Sequence, residues 1–319
     1  MTRGAGTHDG EAKYPAGNAV ARADARGCRA VTVECVVDAR NKLGEVPVWD
    51  VREEVLYWVD IEGRLLQRFT PATGKVERWD MPERIACFAL RQGGGLIVAF
   101  ASGIALYDLA TGRIDWIARP EAHIPTNRFN EGKCDRKGRF WAGTMDDRLA
   151  AHSGALYRVD ADLSVHKVLD GIGISNSIVW SLENDAFYFA DTLDAAIFRF
   201  DYDHAGGSIS NRRTIVDLKG TGIGPDGSTI DSEGFLWNAQ WDGWRVARYA
   251  PDGRLDRIVE LPVQRPTSCM FGGPDLKTLY VTSAIWDLTA DDLEAQPQAG
   301  GLFALDVGVG GVPEPRFAG

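Results

Sequence analysis

A single recurrence constrains this chain more than any other feature. Six short apolar runs, centred on Tyr57, Ile97, Trp141, Tyr188, Trp237 and Tyr280, follow one another at steps of 40, 44, 47, 49 and 43 residues. Each is preceded by a turn-like segment, such as Gln92-Gly93-Gly94-Gly95 or Ser232-Glu233-Gly234. Each is followed by a second, alternating run, such as Ala196-Ile197-Phe198-Arg199-Phe200 or Leu302-Phe303-Ala304-Leu305. Strand, turn and strand repeating at about 45 residues is the mark of a ring of small sheets. No stretch sustains a 3.6-residue apolar period between caps, so long helices are not expected. The spacing predicts an all-β chain, a six-bladed β-propeller with four-stranded antiparallel blades. Two stacked sandwiches would use similar strands, but nothing in a sandwich demands so regular a step. A ring must also hide its last open edge, and Val31 to Asp38 is expected to pair with the strand at Leu302 to Leu305. The propeller is therefore expected to span residues 31–319 as a single domain. Residues 1–30, rich in Gly, Ala and charge and without period, read as a flexible leader.

Composition narrows the partners. In 319 residues, 45 Asp and Glu outweigh 35 Lys and Arg for a net charge of −10, and no basic stripe interleaved with aromatics appears. Nucleic acid and anionic membranes are poor partners for such a chain. The five cysteines, Cys28, Cys35, Cys87, Cys134 and Cys269, are scattered and never spaced as C-x-x-C. That pattern fits a reducing compartment and argues against a zinc knuckle or a disulfide framework. The leader lacks the apolar centre of a signal peptide, and no run of roughly 18 apolar residues occurs. The expectation is a cytoplasmic protein, a monomer or weak homo-oligomer.

In a blade the innermost strand comes first, and its start lies on the same face of the ring as the loop after the second strand. Counting 11 or 12 residues back from the aligned positions therefore asks which side chains face the channel mouth. In blades 1, 3, 4 and 5 the answer is Glu45, Asn130, Asn176 and Asp226; blades 2 and 6 offer Ile85 or Ala86 and Thr267 or Ser268. Two carboxylates and two amides aimed inward from strand ends make a hard-cation site. Without a cation, Glu45 and Asp226 would repel one another in a partly dehydrated channel. Each residue also has a plainer reading, Asp226 in Pro225-Asp226-Gly227 as a turn former and Asn176 as a strand cap. Their shared register is what joins them.

Several segments carry a family resemblance: Leu43-Gly44-Glu45-Val46-Pro47-Val48-Trp49, Asn127 to Asp135 (NRFNEGKCD), Gly138 to Met145 (GRFWAGTM), Ile174-Ser175-Asn176-Ser177, Pro225-Asp226-Gly227 with Ile230-Asp231, and Cys269-Met270-Phe271-Gly272-Gly273. From about Leu43 to Gly301, in order and at blade spacing, the chain resembles the senescence marker protein, gluconolactonase and regucalcin family. The resemblance implies a propeller that binds one divalent cation and hydrolyses sugar lactones. It implies Glu45, Asn176 and Asp226 as metal ligands and Arg128 and Asn130 as substrate contacts, and Asn130 would then meet the metal only through water or substrate. Glu131, grouped with the substrate contacts, stands where the family commonly has Asp. Arg148, in the loop Asp146-Asp147-Arg148, stands where some members offer an acidic lid residue. Both departures bear on substrate preference.

The chemistry expected is metal-dependent hydrolysis of an aldonolactone, such as gluconolactone, to the aldonic acid. A cation polarises the ester carbonyl and lowers the pKa of bound water, Asp226 accepts that water's proton, and Arg128 stabilises the oxyanion or holds ring hydroxyls. Oxygen ligands favour calcium as resident ion, while a site with few protein ligands would also take zinc, manganese, magnesium or iron. Two alternatives stand beside this reading: a phosphotriesterase- or esterase-like propeller hydrolase, and a non-enzymatic calcium-binding propeller. No Gly-x-Ser-x-Gly elbow or His-Glu-x-x-His occurs, which disfavours a serine hydrolase and a zinc protease. At the mouth, Trp241, Trp244 or Trp286 would either stack on a sugar face or pack its loop, and Asp191 would either support the site or cap a turn.

Overall fold

Each recurring apolar run forms the second strand of a four-stranded antiparallel sheet, and the six sheets close into a ring, a six-bladed β-propeller. The computed structural model describes residues 31–319, so the leader expected over residues 1–30 lies outside the described residues. The inner strands, Gly44–Asp50, Ile85–Leu90, Asn127–Cys134, Ser175–Trp180, Gly224–Ile230 and Pro266–Gly272, are buried almost throughout. The second strands, Val55–Asp60, Leu96–Phe100, Phe140–Asp146, Ala186–Asp191, Leu236–Trp241 and Thr278–Ser283, are buried on both faces between neighbouring blades. That explains their unbroken apolar runs. Outermost strands such as Lys75–Asp80 and Ser208–Asp217 are largely exposed and polar.

The ring closes as the edge argument requires. Val33–Val37 pairs antiparallel with Leu302–Asp306, so the last blade takes its outer strand from the start of the propeller. Among the described residues one helix occurs, Ala290–Ala295, in the long mouth loop of blade 6, capped by Thr289 and Asp292.

The end of the channel opposite the inner-strand starts is tied by buried carboxylates. Asp231 accepts the backbone N–H groups of Glu233 and Phe235, the Trp237 indole N–H at 2.8 Å and Arg248 Nε at 2.8 Å. Asp135 does the same in blade 3 with Lys137, Arg139 and Trp141. The tryptophans that marked the repeat are thus anchored as well as buried.

The last dozen residues cross this end of the ring, a feature the repeat did not foretell. Gly311 bonds to Leu276 in blade 6 and bridges Asp231 in blade 5. Arg316 pairs with Asp50 in blade 1, Phe317 pairs with the backbone of Leu90 and Gln92 in blade 2, and Ala318 bonds to Gly138 in blade 3. Phe317 is fully buried in the core of blades 1 to 3. Phe317→Ala is expected to lower the unfolding free energy by about 3–5 kcal/mol. A denaturant titration checks this, and a loss below about 1 kcal/mol would remove the tail from the core.

Candidate metal centre and active site

A β-bulge interrupts every inner strand at the same level, near its start. The ladder shifts register between Glu45 and Val48, Ile85 and Cys87, Phe129 and Gly132, Asn176 and Val179, Pro225 and Ser228, and Pro266 and Ser268. A bulge frees residues from the ladder and re-aims their side chains. Asn130, Glu131 and Asp226 lie inside their bulges, and Glu45 and Asn176 are the paired residues just before theirs. Val46 at φ 47° and Ser177 at φ 52°, immediately after Glu45 and Asn176, hold the left-handed conformation. A β-branched residue reaches that region only when the surroundings impose it.

All six side chains singled out in the sequence are buried. Asn130 Nδ2 donates to the Ser175 carbonyl at 3.0 Å and to Asn176 Oδ1 at 3.3 Å. Asn176 Nδ2 donates to Thr192 Oγ1 at 2.8 Å. Arg128 Nη1 donates to Asn130 Oδ1 at 2.7 Å, and its Nε donates to Asp147 Oδ1 at 2.7 Å. The Glu131 carboxylate accepts the Ser177 N–H at 2.7 Å, reaching from blade 3 into blade 4. The Asp226 carbonyl is held by Ser177 Oγ and Asn238 Nδ2, which sets its backbone independently of its side chain.

Three carboxylates therefore share one dehydrated region. Burial pushes Glu45 up to about 8, with the Glu131 charge adding to the effect. Burial likewise pushes Glu131 up to about 7, against the pull of Lys133 and of the Ser177 and Ile178 N–H groups. Asp226 is held well above the usual carboxylate range by burial and by the charges of Glu45 and Glu131. Nearby cations are engaged elsewhere: Lys133 Nζ donates to the Ser228 carbonyl at 2.8 Å, and Arg128 is paired with Asp147. Asp226 Oδ1 is buried with no hydrogen-bond partner among the described residues. An orphaned carboxylate oxygen that feels the charge of a second buried carboxylate, Glu45, fits a hard divalent cation by the chemistry of its donors.

Other expectations divide. Asp191 is a turn residue, accepting the N–H groups of Gly173, Ile174 and Leu193. It lies near His152 and Asp194, but its own oxygens are committed to the backbone. Trp241 packs under the Arg265 guanidinium, 4.8 Å from its ring centroid, and so serves its loop. Trp244 and Trp286 are exposed at the mouth. Cys87, Cys134 and Cys269 are buried free thiols and Cys35 is a half-buried one; Cys28 lies outside the described residues. Sequence reasoning missed Arg84, whose guanidinium grips Asp147 through Nη1 at 3.1 Å and Nη2 at 2.7 Å. It sits directly before the inner strand of blade 2, one residue outside the register that was counted.

Bulged inner strands that turn oxygen side chains toward one mouth define a class, the propellers with a polar axial site. A family description, the SMP-30/gluconolactonase/LRE-like region, matches residues 43–285. The chain belongs to that family. It is 40% identical over 289 residues to the 6-deoxy-6-sulfogluconolactonase of Pseudomonas putida, covering 90% of this chain and 99% of that protein. It is also 40% identical over 296 residues to the regucalcin of Gallus gallus, covering 91% and 99%. Among solved structures, a calcium-binding protein, regucalcin, from Agrobacterium tumefaciens aligns with a TM-score of 0.85 at 32% identity, covering 89% of this chain and 96% of that one.

Proposed function

We propose that this protein is a divalent-cation-dependent lactonase that opens sugar lactones to aldonic acids. The observation that carries the reading is the unpartnered Asp226 Oδ1, buried beside Glu45 and Glu131 at the mouth of the channel. Relatives named for lactonase activity and for calcium binding support it. Glu45, Asn176 and Asp226 would hold the cation, with calcium the resident ion that an all-oxygen donor set favours. When bound, that ion supplies Lewis acidity at the ester carbonyl and lowers the pKa of a water.

The remaining work falls to the chain's own side chains. Asp226, at the channel mouth beside Glu45, is the carboxylate that would accept the proton of the attacking water. Arg128, oriented by Asp147 on one side and Asn130 on the other, donates to ring hydroxyls or to the developing oxyanion. Asn130 is locked between Arg128, Ser175 and Asn176, so it orients the sugar without rearranging. Glu131, fastened to the Ser177 N–H, adds negative charge beside the cation site and faces the sugar from blade 3.

The test is proton release from a panel of aldonolactones before and after chelation. Chelation is expected to abolish turnover and added calcium, zinc or manganese to restore it. Unchanged turnover in the chelated protein would overturn the cation dependence. Binding of calcium without turnover of any lactone would leave a cation-binding propeller.

A further inference from the structure

Beside the channel mouth lies a cavity of about 390 Å³, lined by loops of blades 2 and 3. Its charged lining is Arg84, Arg128, Arg148 and a single carboxylate, Asp147. Three guanidiniums and one carboxylate thus line the cavity, in a chain of net charge −10. Asp147 ties Arg84 and Arg128 together and holds their planes in place. Glu62 backs Arg84 at 2.9 Å. Arg148 is different. Its side chain is 66% exposed, and its one side-chain bond runs from Nε to Asp146 at 3.2 Å. The Asp146 oxygens already accept the N–H groups of Arg148 and Ala150, so Asp146 acts as a loop cap. The Arg148 Nη1 and Nη2 groups donate no hydrogen bond among the described residues.

We infer that this cavity binds an oxyanion, a sulfonate or a phosphate, carried at the end of the sugar lactone remote from its carbonyl. Arg128 lines the cavity and also bonds Asn130, which bonds Asn176, so cavity and channel mouth are joined through one side chain. A substrate lying along Arg128 with its carbonyl at Asp226 extends its far end toward Arg148 and Arg84. Guanidinium groups suit that role, because their planar forks pair two N–H groups with two oxygens of a sulfonate or phosphate. The orientation of the sugar rests on the lactonase reading; the presence of an anion site does not.

The two are separated by measuring binding and turnover on the full-length, calcium-loaded protein. Calorimetry with gluconate, 6-deoxy-6-sulfogluconate and 6-phosphogluconate compares ligands that share a carboxylate and differ at the far end. One or both of the doubly anionic acids is expected to bind about 10- to 100-fold more tightly than gluconate. The better of the two names the oxyanion. Arg148→Glu is expected to bring that ratio to about one, and Arg148→Lys to leave an intermediate preference. A melting curve establishes that these exposed substitutions leave the fold intact. Equal binding of all three acids, no binding of any, or a preference that survives Arg148→Glu would each overturn the inference. If the preference holds and no lactone is opened, the lactonase reading falls and the anion site stands.

Discussion

Asp226→Asn is expected to reduce lactone turnover by at least about a thousandfold while leaving the protein folded. The substitution is isosteric, and it removes both a proton acceptor and one of the charges that would hold a cation. Its structural consequences are confined by the way the residue is held. The Asp226 carbonyl is fixed by Ser177 and Asn238, so the bulge persists when the side chain changes. In chelated protein the variant is expected to be the more stable form, because the wild-type carboxyl is buried beside Glu45 and Glu131 with its Oδ1 unpartnered. A rise of a few degrees in melting temperature above pH 8 would register that relief. Turnover above about a tenth of wild type, or a lower melting temperature in chelator, would contradict the role given to Asp226.

The second large effect concerns pH. Glu45 is raised to about 8 and Glu131 to about 7 in the folded chain, from an ordinary value of 4.5. A group raised on folding holds its proton more tightly in the folded state. The stability this contributes is full below about pH 4.5 and is lost as pH rises through the folded values. Chelated protein is therefore expected to lose stability, by several kcal/mol, between about pH 5 and pH 9. Cation binding runs the other way, since the ligands must deprotonate. Calcium affinity should rise roughly tenfold per pH unit for each proton released, up to about pH 8. Denaturant unfolding at a series of pH values, with and without calcium, checks both signs. A chelated protein that grows more stable toward pH 9 would show that the carboxylates do not share a dehydrated site.

Much of this was legible because a propeller writes its geometry into the chain at a fixed step. The second strands sit between blades, must be apolar on both faces, and so stand out as short unbroken runs. Once those runs are aligned, an offset of 11 or 12 residues becomes a spatial coordinate. It found Glu45, Asn130, Asn176 and Asp226 without any knowledge of side-chain direction. The offset varies by one because Glu45 and Asn176 stand just before their bulges while Asn130 and Asp226 lie inside theirs, and a bulge leaves no mark in composition. Glu131 shows the limit: one residue past the counted address, it should point away from the channel in a regular strand. The bulge in blade 3 lets it reach Ser177 in blade 4. Arg84 and Arg148 were invisible as a pair because they come from loops of different blades, 64 residues apart in the chain.

The chain by itself determined the number of blades, the strand that closes the ring, and the level at which buried oxygen-bearing side chains gather. All three follow from periodicity and from the need to bury apolar faces and hide a sheet edge, which act on every residue of a repeat alike. Tertiary structure alone decided the rest. It sent the C-terminal residues across the far end of the channel, with Phe317 in the core. It also committed Asp191 to a turn, left Asp226 Oδ1 without a partner, and drew Arg84 and Arg128 onto Asp147. These arrangements depend on contacts between segments that share no period. Their energies are set by which groups end up desolvated together, and that is a property of the closed ring.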